Sequence, residues 1–309
     1  MILSTIAFLF PGQGSQYVGM MRDFFDGDEK SKGAITEADR LLGTALSGIC
    51  FDGPEDVLRQ TRNTQPAIFL HSLVALRSMT RHVPAMVAGH SLGEYSALVA
   101  AGALSFEDGL RLVRLRGELM QQAGEMQKGT MAAVVGLSPE VTEDVCREAS
   151  TAGIVQPANF NSPGQIAISG SVDGVHKAME LAKARGAKMV KELVVSGAFH
   201  SPLMQSAKEG LRSALDTPQI NDARIPVYAN VTGEPVTKAS DIRELLYQQL
   251  TSPVRWEATV RNMVRDGADL FYEIGPGKVL QGLVKRIAPG VQTGGYDTWS
   301  DIATLRSKA

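Results

Sequence analysis

The stretch "PAMVAGHSLGEYSALVAAGAL", residues 84 to 104, joins a short apolar run to a longer one through Gly89-His90-Ser91-Leu92-Gly93. The first run has the length of a buried strand; the second, rich in Ala and Leu, has the length of a helix. Serine between two glycines at such a junction matches the G-x-S-x-G nucleophile elbow, whose sharp turn exposes the serine hydroxyl. At a helix N-terminus, backbone N–H groups and the helix dipole favour developing negative charge there. Two readings of Ser91 stand at this point, a nucleophile or a small residue in a glycine-flanked turn. The strand before it and the helix after it favour the nucleophile.

Outward from the elbow, "STIAFLF" reads as a buried strand and "PGQGSQ" as a loop allowing close backbone approach. "TQPAIFLHSLVALRSM" is predicted to be a helix with Pro66 in its first turn. "SFEDGLRLVRLRGELMQQ" opens with Ser105 and Asp108 at capping-box spacing and continues as a long helix. Alternating strands and helices favour a mostly parallel sheet covered on both faces. From about Thr130 the rhythm changes. "TMAAVVGL", "SPEVTEDVCREAS", "IVQPANF", "QIAISGS", "VDGVHKAMELAKARG" and "AKMVKELVV" follow the order βαββαβ, the ferredoxin-like plan. The expected organisation is an α/β core over residues 1–128 and 197–309 with an inserted subdomain at 129–196. The chain returns to the core through "IPVYANV", "SDIRELLYQQL" and "LFYEIGPGKVLQGLVKRI".

The 309 residues, 44% hydrophobic and 21% charged, suffice for a sizeable core, and a net charge of −2 argues against nucleic acid or an anionic membrane as partner. No run reaches the roughly 20 apolar residues of a membrane span. The N-terminal "MILSTIAFLFPGQG" has neither a basic leader nor a small-residue cleavage site, so no signal peptide is read. Cys50 and Cys146 are too few and too far apart for a disulfide framework or a Cys-rich metal site, and the cytoplasm is the expected location. Asn230-Val231-Thr232 is formally a glycosylation acceptor without meaning in that compartment.

A nucleophilic serine needs a base, and five histidines are available. His71 lies in an apolar helix and reads as a core or boundary residue. His82, after Arg81, sits at a helix end; His176 lies on a solvated helix face; His90 adjoins Ser91, and neighbours at an elbow diverge. His200, in "SGAFHSPLM", occupies the loop that returns to the core and leads by elimination. Arg116 is a sharper signal. Gly109, Leu112, Val113, Arg116, Leu119 and Met120 fall at offsets 0, 3, 4, 7, 10 and 11, one helical stripe that should face the core. Glu107/Arg111 and Arg114/Glu118 make the ordinary solvated i,i+4 pattern elsewhere. A buried guanidinium is costly unless paired, so Arg116 is either half of an internal ion pair or an empty seat for a substrate carboxylate. The loop Gly12-Gln13-Gly14 should lie beside the elbow at the carboxyl ends of the strands. The loop is placed to supply a second backbone N–H of an oxyanion hole, the first coming from Leu92. No dinucleotide fingerprint or P-loop occurs.

"FPGQGSQYVGM", "TQPAIF", "AGHSLGEYSALVAAGAL", "RLVRLRGELMQ", "GTMAAVVGL", "ANFNSPGQIAISG", "GAFHSPLM" and "YEIGPGKVLQGLVKRI" resemble, in order from about residue 6 to residue 287, the malonyl-CoA:acyl carrier protein transacylases of bacterial fatty-acid synthesis. The resemblance implies an α/β-hydrolase-like core with a ferredoxin-like insertion. It makes Ser91 the acylated serine, His200 the catalytic histidine, Gln13 and Leu92 the oxyanion donors and Arg116 the holder of the malonyl carboxylate. Gln249 in "YQQLTSPVRW" matches a glutamine whose backbone carbonyl orients the imidazole. "GAFHS" matches the malonyl rather than the 2-methylmalonyl pattern. The implied reaction carries a malonyl group from coenzyme A to the phosphopantetheine thiol of acyl carrier protein through a serine ester, without metal or redox cofactor. The implied state is a monomer. Lys278, Lys285 and Arg286 are candidates for docking the acidic carrier, or simply a solvated face. The rivals are a malonate decarboxylase subunit or discrete polyketide acyltransferase, a serine hydrolase, and a non-catalytic carrier-binding scaffold.

Overall fold

In the computed structural model, which describes residues 4–80, 82–217 and 219–307, Ile6–Phe10 forms a central strand whose alternation sorts the core. Ala7 and Leu9 point into one apolar cluster with Trp256, Val260, Met263 and Val284. Phe8 and Phe10 point into another with Ile68, Phe69, Leu73 and Tyr95. A strand apolar at every position is therefore one covered on both faces. In chain order the strands are β1 (Ile6–Phe10), β2 (Met86–Gly89), β3 (Gly129–Val135), β4 (Val155–Ser162), β5 (Gln165–Ser171), β6 (Met189–Glu192), β7 (Val227–Tyr228), β8 (Pro235–Val236), β9 (Leu270–Ile274) and β10 (Gln292–Tyr296).

The larger sheet has the order β10-β9-β1-β2-β7-β8. Every neighbouring pair is parallel except β7–β8. The smaller sheet, β4-β5-β3-β6, is antiparallel throughout. With helices Pro139–Ala149 and Val172–Ala184 packed on it, it follows the βαββαβ order and has a third core of its own. The fold is thus mixed α/β, with a mostly parallel sheet and a separate antiparallel one. The two meet where β4 touches the segment before helix Trp256–Arg265: Val254 N donates to Ala158 O at 2.8 Å and Phe160 N to Val254 O at 2.9 Å.

Some expectations need correction. The helix around "TQPAIF" begins at Thr61, so Pro66 lies in its second turn rather than its first. Proline cannot donate to the carbonyl four residues back, and Arg114 Nη1 donates to that carbonyl, Arg62 O, at 3.1 Å. Arg114 also pairs with Glu118, but it is partly buried rather than simply solvated. That helix ends at Ser78, so His82 is not at its end; its ring stacks on Tyr272 at 4.7 Å. Arg81 beside it, and Met1–Leu3 of the apolar N-terminus, lie outside the described residues. Helices Arg22–Gly27, Glu29–Leu42, Leu46–Asp52, Glu55–Leu58, Gln205–Asp216, Trp256–Arg265 and Trp299–Ser307, and strands β8 and β10, have no counterpart in the reading above. Glu29–Leu42 buries Ser31, Ile35 and Ala38, a stripe mostly of small residues and therefore a weak signal. Among the described residues no helix is long and apolar enough to cross a membrane.

Candidate active site

The turn between β2 and helix Gly93–Ala100 holds Ser91 at φ 53°, in the left-handed region that a non-glycine residue enters only at a cost of about 1–3 kcal/mol. The flanking glycines make this turn possible. A Cβ at Gly89 would lie 1.9 Å from the Gly93 carbonyl group, and one at Gly93 would lie 2.1 Å from Phe10 O. Asn230 ties the strained turn down. Its Oδ1 accepts from Ser91 N at 2.6 Å and its Nδ2 donates to Gly89 O at 2.7 Å. The side chain is fully buried and engaged at both ends, which closes the glycosylation reading.

Ser91 Oγ lies 2.9 Å from His200 Nε2, and His200 Nδ1 lies 3.0 Å from Gln249 O. A carbonyl only accepts, so Nδ1 carries the ring proton and the Nε2 lone pair faces the serine. The return loop holds His200 at φ 58°, and Gln156 Nε2 from β4 donates to its carbonyl at 2.9 Å. Burial, reinforced by the nearby Arg116 cation, depresses the imidazole pKa to about 3, so the ring is neutral at pH 7.

Arg116 lies on helix Phe106–Met126, whose Ser105 cap accepts from Asp108 N at 3.0 Å as the spacing predicts. Its side chain is fully buried. Nη1 donates to Gln65 Oε1 at 2.7 Å, and Nη2 to Gln249 Oε1 at 2.9 Å and Ser91 Oγ at 3.1 Å. All three acceptors are neutral. Among the described residues no Asp or Glu is in ion-pairing contact with the guanidinium, which removes the internal ion pair as its explanation. The buried carboxyl of Glu94 stands beyond Gln249, its Oε2 accepting from Gln249 Nε2 at 2.7 Å and Asn230 N at 3.0 Å.

These groups open onto a cavity of about 280 Å³ between the two sheets. Its polar lining includes Gln13, Gln65, His90, Ser91, Arg116, Asn159, Asn161 and His200, and its apolar lining Leu92, Met120, Met131, Leu193, Val195, Phe199 and Leu283. A Cβ on Gly12 would sit 2.5 Å from His90 O, so the Gly12–Gly14 loop presses on the elbow as its place after β1 predicts. His90 turns away from the serine hydroxyl, its Nε2 2.9 Å from Asn161 Oδ1. His71 is buried, with Nε2 2.6 Å from Asp297 O. His176 is exposed beside Glu192. Lys278 precedes helix Val279–Ile287 and Lys285 and Arg286 lie in its last turn; Arg286 Nη1 donates to Gln165 Oε1 at 2.6 Å.

Gln65, Glu94, Asn159, Asn161 and Asn230 carry much of this geometry, and no sequence motif marks them individually as site residues. Each has some signal: polar residues within apolar helical runs for Gln65 and Glu94, and i,i+2 asparagines on one face of a strand for Asn159 and Asn161. For Asn230 the motif pointed elsewhere.

A mostly parallel α/β frame with a serine on such a turn is the kind on which enzymes pass acyl groups through a hydroxyl. The chain belongs to the acyl transferase domain family, whose model matches residues 7–293, and within it to the malonyl CoA-acyl carrier protein transacylases. The transacylase of that name from Bacillus subtilis (strain 168) is 47% identical over 294 residues, 94% of this chain and 93% of the relative. An acyl carrier protein S-malonyltransferase from Vibrio cholerae superposes with a TM-score of 0.94 at 41% identity, covering 98% of this chain and 100% of that one. A malonyl-transacylase solved in complex with a type II PKS acyl-carrier protein has a TM-score of 0.94 at 38% identity, covering 99% and 100%.

Proposed function

We propose that this enzyme moves a malonyl group from coenzyme A to the phosphopantetheine thiol of acyl carrier protein, in fatty-acid synthesis, through an ester on Ser91. The observation that carries the reading is the convergence on Ser91 Oγ of an imidazole at 2.9 Å and an unpaired guanidinium at 3.1 Å. The Arg116 N–H occupies a lone pair of the hydroxyl, which leaves the hydroxyl proton for His200 Nε2.

In the first half-reaction Oγ attacks the thioester carbonyl while His200 takes its proton. The developing oxyanion is received by the Gln13 and Leu92 amides. The carbon–sulfur bond breaks, the proton passes from His200 to the coenzyme A sulfur, and the malonyl ester remains. In the second half-reaction the carrier thiol attacks the ester, His200 takes the thiol proton and returns it to Oγ. Arg116 receives the malonyl carboxylate in its fork. That pairing also offsets the cation that depresses His200, so the ring becomes more basic when the correct acyl group is in place. The Gln249 carbonyl holds the tautomer, where a hydrolase triad uses an acid. Each proton and charge is handled by these residues and the substrates, so the reading calls for no cofactor.

Residues 129–196 are read as an inserted unit that walls the cavity, and the chain as a monomer. The two cysteines, both buried and free, support a reducing cytoplasm. The test is intact mass after incubation with malonyl-CoA, with and without acyl carrier protein. One malonyl adduct that is discharged only by the carrier is expected, and none on Ser91→Ala. Rapid release of free malonate without carrier would indicate a hydrolase, and an adduct on the alanine variant would move the nucleophile elsewhere.

A further inference from the structure

We propose that Glu94 sets acyl-group specificity as the resident counter-charge of Arg116, held one amide away, so that seating a substrate carboxylate on Arg116 is coupled to proton uptake by Glu94. The inference rests on Arg116 being the carboxylate seat and goes beyond it by naming what occupies the electrostatic role when the seat is empty.

The geometry has three parts in series. Arg116 Nη2 donates to Gln249 Oε1 at 2.9 Å, and Gln249 Nε2 donates to Glu94 Oε2 at 2.7 Å. Arg116 is 0% exposed and Glu94 3% exposed, so neither charge is compensated by water. A lone buried guanidinium is costly, while a carboxylate in direct contact would fill the fork and close the seat. An amide between them meets both demands, because the charges still attract in a poorly screening interior while no carboxylate sits on the guanidinium, whose Nε–H is left without an acceptor. Gln249 is held in this sense at both ends. Ser91 O accepts from its Nε2 at 3.1 Å, and a reversed amide would turn N–H toward N–H at the guanidinium.

When a substrate carboxylate arrives, two anions share one buried cation, and one of them takes a proton. The substrate oxygens contact the guanidinium and stay ionised, so the proton goes to Glu94 from solvent. Burial already raises Glu94 to about 7, against the downward pull of Gln249, Asn230 N and Arg116; weakening the last of these moves it further up. The groups facing Glu94 are few. Helix Phe106–Met126 presents Arg116, its own helix presents Tyr95, helix Ala239–Gln249 presents the neutral Gln249 amide, and the segment after β7 presents the Asn230 N–H. Tyr95 is pushed up to about 12 and His200 down to about 3, so neither titrates between pH 6 and 8. The sign follows: protonated Glu94 favours carboxylate binding, and malonyl selectivity falls as pH rises through 7.

The experiment measures kcat/KM for malonyl-CoA and acetyl-CoA from pH 6 to 8 in the wild type, Glu94→Gln and Arg116→Ala. The wild-type malonyl-to-acetyl ratio should fall by about tenfold across this range, a coupling of ordinary size. In Glu94→Gln, whose single amide oxygen can accept both bonds now made by Oε2, the ratio should be level with pH. A wild-type measurement covers the case of a variant that does not fold. In weak buffer at pH 7.5 with an indicator dye, acylation by malonyl-CoA should take up protons and acylation by acetyl-CoA should not, because the serine proton leaves on coenzyme A in both. A level wild-type ratio, or equal proton uptake for the two donors, overturns the proposal. Equal losses of both transfers in Arg116→Ala would overturn the carboxylate seat itself. Malonyl-selective loss there, with the pH-dependent ratio surviving in Glu94→Gln, would sink the Glu94 coupling alone.

Discussion

An imidazole that is fully buried and shares its surroundings with a guanidinium is a different base from one in water. For His200, burial and then the Arg116 charge oppose protonation, while bonds to the backbone at Gln249 and Ser252 favour it and do not prevail. The folded-state pKa is depressed from 6.5 to about 3, so the unfolded chain takes up this proton first as pH falls. The stability that the neutral ring contributes is complete above pH 6.5 and lost as pH falls toward 3. The kinetic consequence is separate. The neutral fraction of the proposed base stays near one throughout the neutral range, so the acylation rate with acetyl-CoA, which has no carboxylate to offset Arg116, should be level from pH 8 to 5. Single-turnover acylation checks this; a limb centred near 6.5 would mean an imidazole open to solvent. Gln249 shows how one residue serves two charges, with its backbone carbonyl fixing the ring and its side-chain amide spacing Arg116 from Glu94.

At the scale of elements, the elbow depends on how closely one helix can approach one strand. Helix Gly93–Ala100 begins against the end of β1, and the Gly93 position has Phe10 O and Pro11 O within 2.9 Å of any added Cβ. Both neighbours are backbone, so they have no rotamer into which to retreat. Gly93→Ala should therefore push the helix off the sheet and cost about 3 kcal/mol, the upper part of the range for overpacking. Because the Ser91 hydroxyl rides on that turn, acylation should fall by at least the factor of about a hundred that a misplacement near 1 Å brings. Denaturant unfolding and burst kinetics on the same variant check the pair, and loss of stability with normal acylation would separate the turn from the chemistry. The Pro66 helix shows the opposite solution to a close backbone problem. Where the chain cannot satisfy Arg62 O from within the helix, Arg114 reaches across from the neighbouring helix to do so.

For the molecule as a whole, what was legible in the sequence is what local periodicity encodes. The elbow, the two-sided β1, the βαββαβ run and the stripe that buries Arg116 each depend on residues within one or two turns or strands of one another. The partners of those residues do not. Asn230 reaches the elbow across 139 positions and Gln249 reaches Glu94 across 155, distances over which no single-sequence pattern carries information. Gln249 is legible only through the family resemblance, and β7, of two residues, is too short to declare itself as a strand. The smaller sheet illustrates the same point. Its β4 contributes Asn159 and Asn161 to the cavity, while Gln156 bonds both His200 O, at 2.9 Å, and Thr251 O, at 3.4 Å. Gln156 thus ties the antiparallel sheet to the loop that presents the proposed base and to the segment just after Gln249. Losing one neutral hydrogen bond of this kind costs about 1 kcal/mol of stability. It also frees the imidazole to drift from the hydroxyl, a loss felt in the chemical step. Gln156→Ala should therefore lower kcat about tenfold while leaving KM for malonyl-CoA and the malonyl-to-acetyl ratio near wild type. If KM rose and kcat held, the smaller sheet would be a wall for substrate and would have no part in placing the base.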